Sequence, residues 1–292
     1  MELTLSELRD RFEEINYICE EDTVLTVFLA LKLQKPLLIE GAPGVGKTEM
    51  GKALSQVFGV DLIRLQCYEG LDENKALYEW NYQKQLLKIQ MSKEMGKEEI
   101  SERELFSREY LLERPLLKAI SSSEKNVLLI DEVDKCDHEF EAFLFEVLSD
   151  FQVSIPELGT VKALKVPMVV LTSNSERELS DGLRRRCIYL YLDFPSIERE
   201  TQIINKKIPQ AGQKLSNEIA RAVSYLRENQ HIKKKPSIAE TLDWVGALVS
   251  LHRDRLEATL LDDFLGLLLK SKKDQEIFRE EIGAENLINS IR

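Results

Sequence analysis

Apolar and polar positions come in short blocks through the first two thirds of the chain, then settle into a helical rhythm. Pro36–Glu40, Val60–Gln66, Val127–Ile130, Val169–Asn174 and Ile188–Leu192 carry runs too short for helices and predict strands. Val127-Leu128-Leu129-Ile130 is apolar without alternation, as expected of a strand covered on both faces. Two helices precede the first strand. One runs over Thr4–Ile15, opened by a Thr4/Glu7 capping box, with Leu5, Leu8, Phe12 and Ile15 on one face. The other runs from Asp22 to about Leu33. Further helices are expected over Lys47–Phe58, from Pro115 to near Ser121, through Phe140, Phe143, Leu144, Val147 and Leu148, and briefly from about Ser180. Phe151–Ile155 and Val161–Lys165 flank a Gly-containing turn and predict a β-hairpin at about 151–166. Beyond Pro195 only helical patterns follow: Ser196–Lys207, Lys214–Arg227, Ser237–Leu251 and Glu257 to about Ile277. Strands alternating with helices, then helices alone, give an α/β domain with a parallel sheet over 1–194 and an all-helical domain over 195–292.

One stretch departs from this alternation. Tyr78, Trp80 and Tyr82 place three aromatics within five residues of a chain that is 7% aromatic. Two readings stay open, a surface that grips a partner and a plug that packs an insertion onto the core. From Gln83 to Glu104 the chain is strongly charged, centred on Lys93–Glu99, which reads as a solvated helical hairpin. The whole insertion spans about 74–118.

Composition narrows the class. Apolar residues make up 43% of 292, enough for a sizeable core, and 51 acidic against 40 basic side chains give a net charge of −11. That balance argues against nucleic acid as the main partner, because phosphate neutralisation needs a basic face. No apolar run is long enough for a membrane span, and the N-terminus carries no signal-peptide pattern. Cys19, Cys67, Cys136 and Cys187 are scattered, and His138, His231 and His252 are too separated for a zinc site. The expectation is a soluble, acidic, cytoplasmic protein with reduced thiols and no integral membrane segment.

The chemistry is concentrated after the first strand. Gly41-Ala42-Pro43-Gly44-Val45-Gly46-Lys47-Thr48 fits the phosphate-binding template G-x-x-x-x-G-K-[ST] at every fixed position, and Glu49 follows it into the helix. Glycines let the backbone wrap an anion, and its amides and the following helix dipole point at the phosphates. Lys47 is placed to reach the β- and γ-phosphates and Thr48 to ligate Mg²⁺. The apolar strand at 127–130 ends in Asp131-Glu132. Downstream of a phosphate loop, Asp131 suits metal binding, and Glu132 suits orienting or deprotonating the attacking water. Asn174 ends the next apolar strand. An amide there can orient the water or donate to the γ-phosphate; alone, it would read as a turn cap. Arg184-Arg185-Arg186 could be a solvated basic face, complement a helix C-terminus or supply a guanidinium to a phosphoryl-transfer site, and spacing does not say which of the three would reach it.

With these elements in order the chain resembles an AAA+ ATPase. Residues 41–48 are similar to its Walker A motif and 127–132 to Walker B. Asn174 stands where sensor 1 stands, and the arginines before Cys187 resemble the finger that reaches a neighbouring subunit. The hairpin and the insertion at about 74–118 resemble the pre-sensor-1 and helix-2 insertions of the MoxR group. Closer still, Arg64–Asp72, Tyr78–Tyr82, Arg114–Ala119 and Gly182–Cys187 resemble CoxD-type members. The likeness covers roughly residues 16–255. It implies a P-loop NTPase core with a helical lid, ATP and Mg²⁺ as cofactors, and a homo-oligomeric ring, typically a hexamer. It also implies remodelling or metal-cofactor loading of a client such as a molybdenum hydroxylase, often with a von Willebrand factor A domain protein. One departure stands out. Where the family's lid carries a sensor 2 arginine, the sequence reads Lys235-Pro236-Ser237-Ile238, and a lysine there lacks the bidentate fork. A small-molecule kinase with the same loop, and an NTP-driven DNA motor like the McrB proteins, are the competing readings.

Overall fold

The structure is a computed structural model that describes residues 3–94 and 100–291. It divides into two compact units, residues 1–15, 19–41 and 47–191, and residues 16–18, 42–46 and 192–292.

The first unit opens with α1 (Leu5–Glu14) and α2 (Glu21–Leu33), then β1 (Leu37–Gly41), α3 (Lys47–Phe58) and β2 (Asp61–Gln66). The insertion holds α4 (Glu73–Ala76), β3 (Tyr78–Trp80), α5 (Tyr82–Glu94), α6 (Glu102–Leu105), β4 (Leu111–Glu113) and α7 (Pro115–Ser121). The charged centre expected at 93–99 lies mostly outside the described residues, which stop at 94 and resume at 100. Then come β5 (Asn126–Asp131), α8 (His138–Asp150), the hairpin β6 (Gln152–Ile155) and β7 (Gly159–Lys162), β8 (Met168–Ser173), α9 (Asp181–Arg186) and β9 (Ile188–Leu192). The main sheet is five-stranded and parallel, ordered β2-β5-β8-β1-β9. In its register, Gln66 of β2 lies opposite Asp131 of β5, and Ile130 of β5 opposite Leu171 of β8. Every residue of β5 is buried, which suits its apolar run from Val127 to Ile130 between Asn126 and the acid at its end.

Local chemistry sets the ends of these elements. Thr4 and Glu7 form the reciprocal cap that starts α1. Asp137 caps α8 through the Phe140 N–H at 2.8 Å, and Phe151 ends it in the left-handed region. In the insertion Trp80 is buried and meets Tyr78 and Phe106 edge-on, with ring centroids 6.0 and 5.1 Å away. Trp80 therefore packs the insertion together, while Tyr82 faces solvent.

The second unit is helical: α10 (Ile197–Lys207), α11 (Gly212–Glu228), α12 (Ile238–Ser250), α13 (Ala258–Leu268), α14 (Lys272–Ile277) and α15 (Ala284–Ile291). Its core includes Trp244, Phe278 and the buried leucines of α11–α13. The single helix expected from Glu257 to Ile277 is corrected to two, broken at Leu269–Ser271. After the break, the buried Asp274 carboxylate in α14 accepts from the Lys233 and Lys234 backbone amides, each at 3.1 Å. That long-range use of Asp274 leaves no trace in the local apolar pattern. Among the described residues no helix is long and apolar enough to cross a membrane.

Candidate active site

The loop from β1 to α3 depends on its glycines. Gly44 and Gly46 have φ of +76° and +100°, the region that side chains with a Cβ avoid. At Gly44 a Cβ would also stand 2.2 Å from the Ser237 Cβ, and the Ile238 N–H donates to the Gly44 carbonyl at 3.3 Å. Ser237 opens α12 with a capping box to Glu240. Lys235 turns its ammonium to the Asn229 carbonyl, so Ser237 and Ile238, and not Lys235, meet the loop at Gly44.

Lys47 begins α3 and is buried, its Nζ donating to the Gly41 carbonyl at 2.7 Å. Burial pushes its pKa below the ordinary 10.5, opposed by the charges of Asp134, Asp131 and Glu132. A desolvated lysine at the first turn of a 12-residue helix fits a phosphate ligand. Glu49 lies one turn from Lys52, its ion-pair partner at 3.0 Å.

The acidic end of β5 is a dense hydrogen-bond knot. The buried Asp131 carboxylate accepts from the Thr48 hydroxyl at 2.9 Å, the Thr172 hydroxyl at 2.5 Å and Arg64 Nη2 at 2.5 Å. Thr172 in turn accepts the Glu132 amide at 2.9 Å, fixing the backbone that presents Glu132. Glu132 has φ +58°, an unusual conformation for a residue with a Cβ. Its Oε2 accepts from Gln66 Nε2 at 2.9 Å and Lys135 Nζ at 2.7 Å. Thr48 and Asp131 supply the hard oxygen donors that Mg²⁺ takes, and they are already in contact.

Asn174 follows β8, its backbone N–H donating to Asp134 Oδ2 at 3.0 Å; the Glu176 backbone N–H donates to the same oxygen at 3.0 Å. Asp134 is buried and its other carboxylate oxygen has no hydrogen-bond partner among the described residues. The three arginines of α9 separate clearly. Arg184 pairs with the buried Glu40 at 3.5 Å and lies over the Tyr189 ring, whose hydroxyl also donates to Glu40 at 3.0 Å. Arg186 stacks on Phe145, 3.5 Å from the ring centroid, and bonds the Ser149 hydroxyl at 2.6 Å. Arg185 is 82% exposed and pairs with Asp181 at 4.0 Å, its one ion pair among the described residues.

Lys47, Thr48, Asp131 and Glu132 thus converge at one end of the sheet. Arg64, Gln66, Thr172 and Asp134 join them without having been legible as site residues. Arg64 and Gln66 stand two apart on β2, so their side chains share a face; that alternation was the available signal.

A phosphate loop and an acidic strand end, joined across a parallel sheet, define a P-loop nucleoside-triphosphatase. Residues 36–187 match the AAA domain (dynein-related subfamily), and the chain belongs to that family. It is an AAA+ ATPase and uses ATP and Mg²⁺. An uncharacterized protein of Staphylococcus saprophyticus is 23% identical over 251 residues, covering 81% of this chain and 84% of the relative. One from Staphylococcus aureus is 24% identical over 244 residues, with coverage of 81% and 84%. Among solved structures, the fold is similar to the Thermotoga maritima RuvB Holliday junction branch migration motor. The TM-score is 0.51 at 15% identity, covering 94% of this chain and 82% of RuvB.

Proposed function

We propose that this ATPase is a MoxR-group member of CoxD type, working as a homo-oligomeric ring, most simply a hexamer. It couples hydrolysis to remodelling or maturation of a protein client such as a molybdenum hydroxylase, with a von Willebrand factor A domain protein as a further partner. The core spans 1–194 and the lid 195–292. Gly41 to Glu49 form the nucleotide-binding segment, with Lys47 holding the phosphates. Thr48 and Asp131 hold Mg²⁺, which when bound neutralises charge on the phosphate oxygens. Glu132 takes the proton of the attacking water once Lys135 releases its carboxylate, and Asn174 orients that water. The observation that carries the ring is the contrast on α9. Arg184 and Arg186 are engaged within their own chain, whereas Arg185 projects into solvent, as a finger for a neighbouring site should.

The test is the ATPase rate per subunit against protein concentration. A rate rising from near zero to a plateau, abolished by Arg185→Ala, supports completion of the site in trans. A rate independent of concentration, with sizing that shows a monomer, overturns it and favours the kinase reading. The likeness to a DNA motor supports a second reading, that the chain acts on DNA. DNA-stimulated turnover with a steep salt dependence would favour it, and the net charge of −11 speaks against it.

A further inference from the structure

Helix α5 is built inside out. The residue it buries is Gln85, whose amide donates to the Leu105 carbonyl at 2.8 Å. Of its leucine, isoleucine and methionine side chains, Leu86, Leu87 and Met91 are 59%, 59% and 54% exposed, while Ile89, one turn from Gln85, is half-buried. Leu87 and Met91 stand four apart and form one ridge on the solvent side. A helix of an ordinary surface shows the reverse order, apolar residues inward and polar outward. An apolar ridge left in water on a helix anchored by a polar residue marks an interaction surface.

The charge around the ridge says what it takes. Lys84 is committed to its own chain, paired with Glu109 at 3.0 Å. Lys88 and Lys93 have no ion pair among the described residues, and Glu94 is the helix's only acid. These two cations stand beside the ridge on a chain of net charge −11. The overall negative charge opposes approach to an anionic membrane, which attracts basic faces. The same short stretch suits an acidic protein segment bearing apolar side chains.

We propose that the exposed face of α5 docks an acidic amphipathic segment of a protein partner, with Leu86, Leu87 and Met91 as the apolar floor. Lys88 and Lys93 are its charge clamps. The surface is independent of nucleotide hydrolysis, so it is tested on the full chain without nucleotide and can fail or hold separately from the ring mechanism. The probe is a fluorescein-labelled helical peptide with leucines on one face and glutamates beside them. Two matched peptides carry lysines for the glutamates, or serines for the leucines.

Expected is binding of the Leu/Glu peptide alone, read by fluorescence anisotropy. The double variant Leu87→Ser with Met91→Ser should weaken it at least about ten-fold. Lys88→Glu with Lys93→Glu should move the preference to the Leu/Lys peptide. Both variants change exposed positions, where substitutions seldom disturb folding; unchanged melting and unchanged basal ATPase confirm that. Failure of the Leu/Glu peptide to bind, equal binding of all three peptides, or undiminished binding by the variants overturns the proposal. So does binding to vesicles of anionic phospholipid that the Leu87/Met91 variant loses, which assigns the face to a membrane. Self-association that the same variant loses assigns the face to a second copy and overturns it too.

Discussion

Arg64 on β2 holds the Asp131 carboxylate at 2.5 Å, the same carboxylate that meets Thr48 at 2.9 Å. A guanidinium therefore stands on the acid proposed to hold Mg²⁺, and the two cations compete for it. Arg64 is half exposed while Asp131 is buried, so the pair joins a solvated cation to a desolvated acid that needs a positive partner. Arg64→Gln should lower the Mg²⁺ concentration for half-maximal ATPase, because it frees the Asp131 carboxylate for the metal. A higher Mg²⁺ requirement in that variant would instead make Arg64 a support for the metal-binding geometry.

Glu132 carries the second prediction. Its amide is fixed by Thr172 and its carboxylate is held between Gln66 and Lys135. Glu132→Gln keeps the shape and the Gln66 neighbour but removes the base. ATP affinity should be retained while turnover falls on the order of 10²- to 10⁴-fold, the usual contribution of a general base. Turnover within a few-fold of wild type would remove Glu132 from that role.

Much of this site could be read along the chain, because both halves are local signals. Glycines before Lys47-Thr48 and an apolar run before Asp131-Glu132 are each contiguous, and each kept its place in the fold. Thr172 and Arg64 were not legible, since their roles come from strand order. Nothing in β2 or β8 alone says that β5 lies between them. The same limit covers Asp274, whose bonds to Lys233 and Lys234 reach back about forty residues and are invisible to a local pattern. Helix α5 is solvated, as its charge suggested, but its pattern did not say that Gln85 would be buried and the leucines exposed.

Gly44 tests how closely the loop is fitted. Its positive φ alone disfavours a side chain by about 1–2 kcal/mol, and Ser237 leaves a Cβ no room. Gly44→Ala should weaken ATP binding and lower the melting temperature. Adding Ser237→Gly should recover only part of the loss, because it relieves the collision and leaves the backbone strain. Full recovery in the double variant would show that the collision is the whole effect.

Lys47 links nucleotide binding to pH. Burial lowers its folded pKa below 10.5, so between that value and 10.5 the folded chain binds fewer protons than the unfolded one. The cost of burying the charged ammonium is present in full below the folded pKa. It is relieved as pH rises toward 10.5, so this group's contribution to stability increases over that window. Binding runs the other way, because the phosphates need the charged form. ATP affinity should begin to fall at a pH below 10.5, and binding there should take up protons as the bound phosphates restore the charge. Calorimetry in two buffers of different ionisation enthalpy reads that uptake directly. Arginine stays protonated throughout this range, so whatever affinity Lys47→Arg retains should lose this fall. Wild-type affinity that stays level up to 10.5 would mean that Lys47 keeps its proton despite burial, held by Asp134, Asp131 and Glu132.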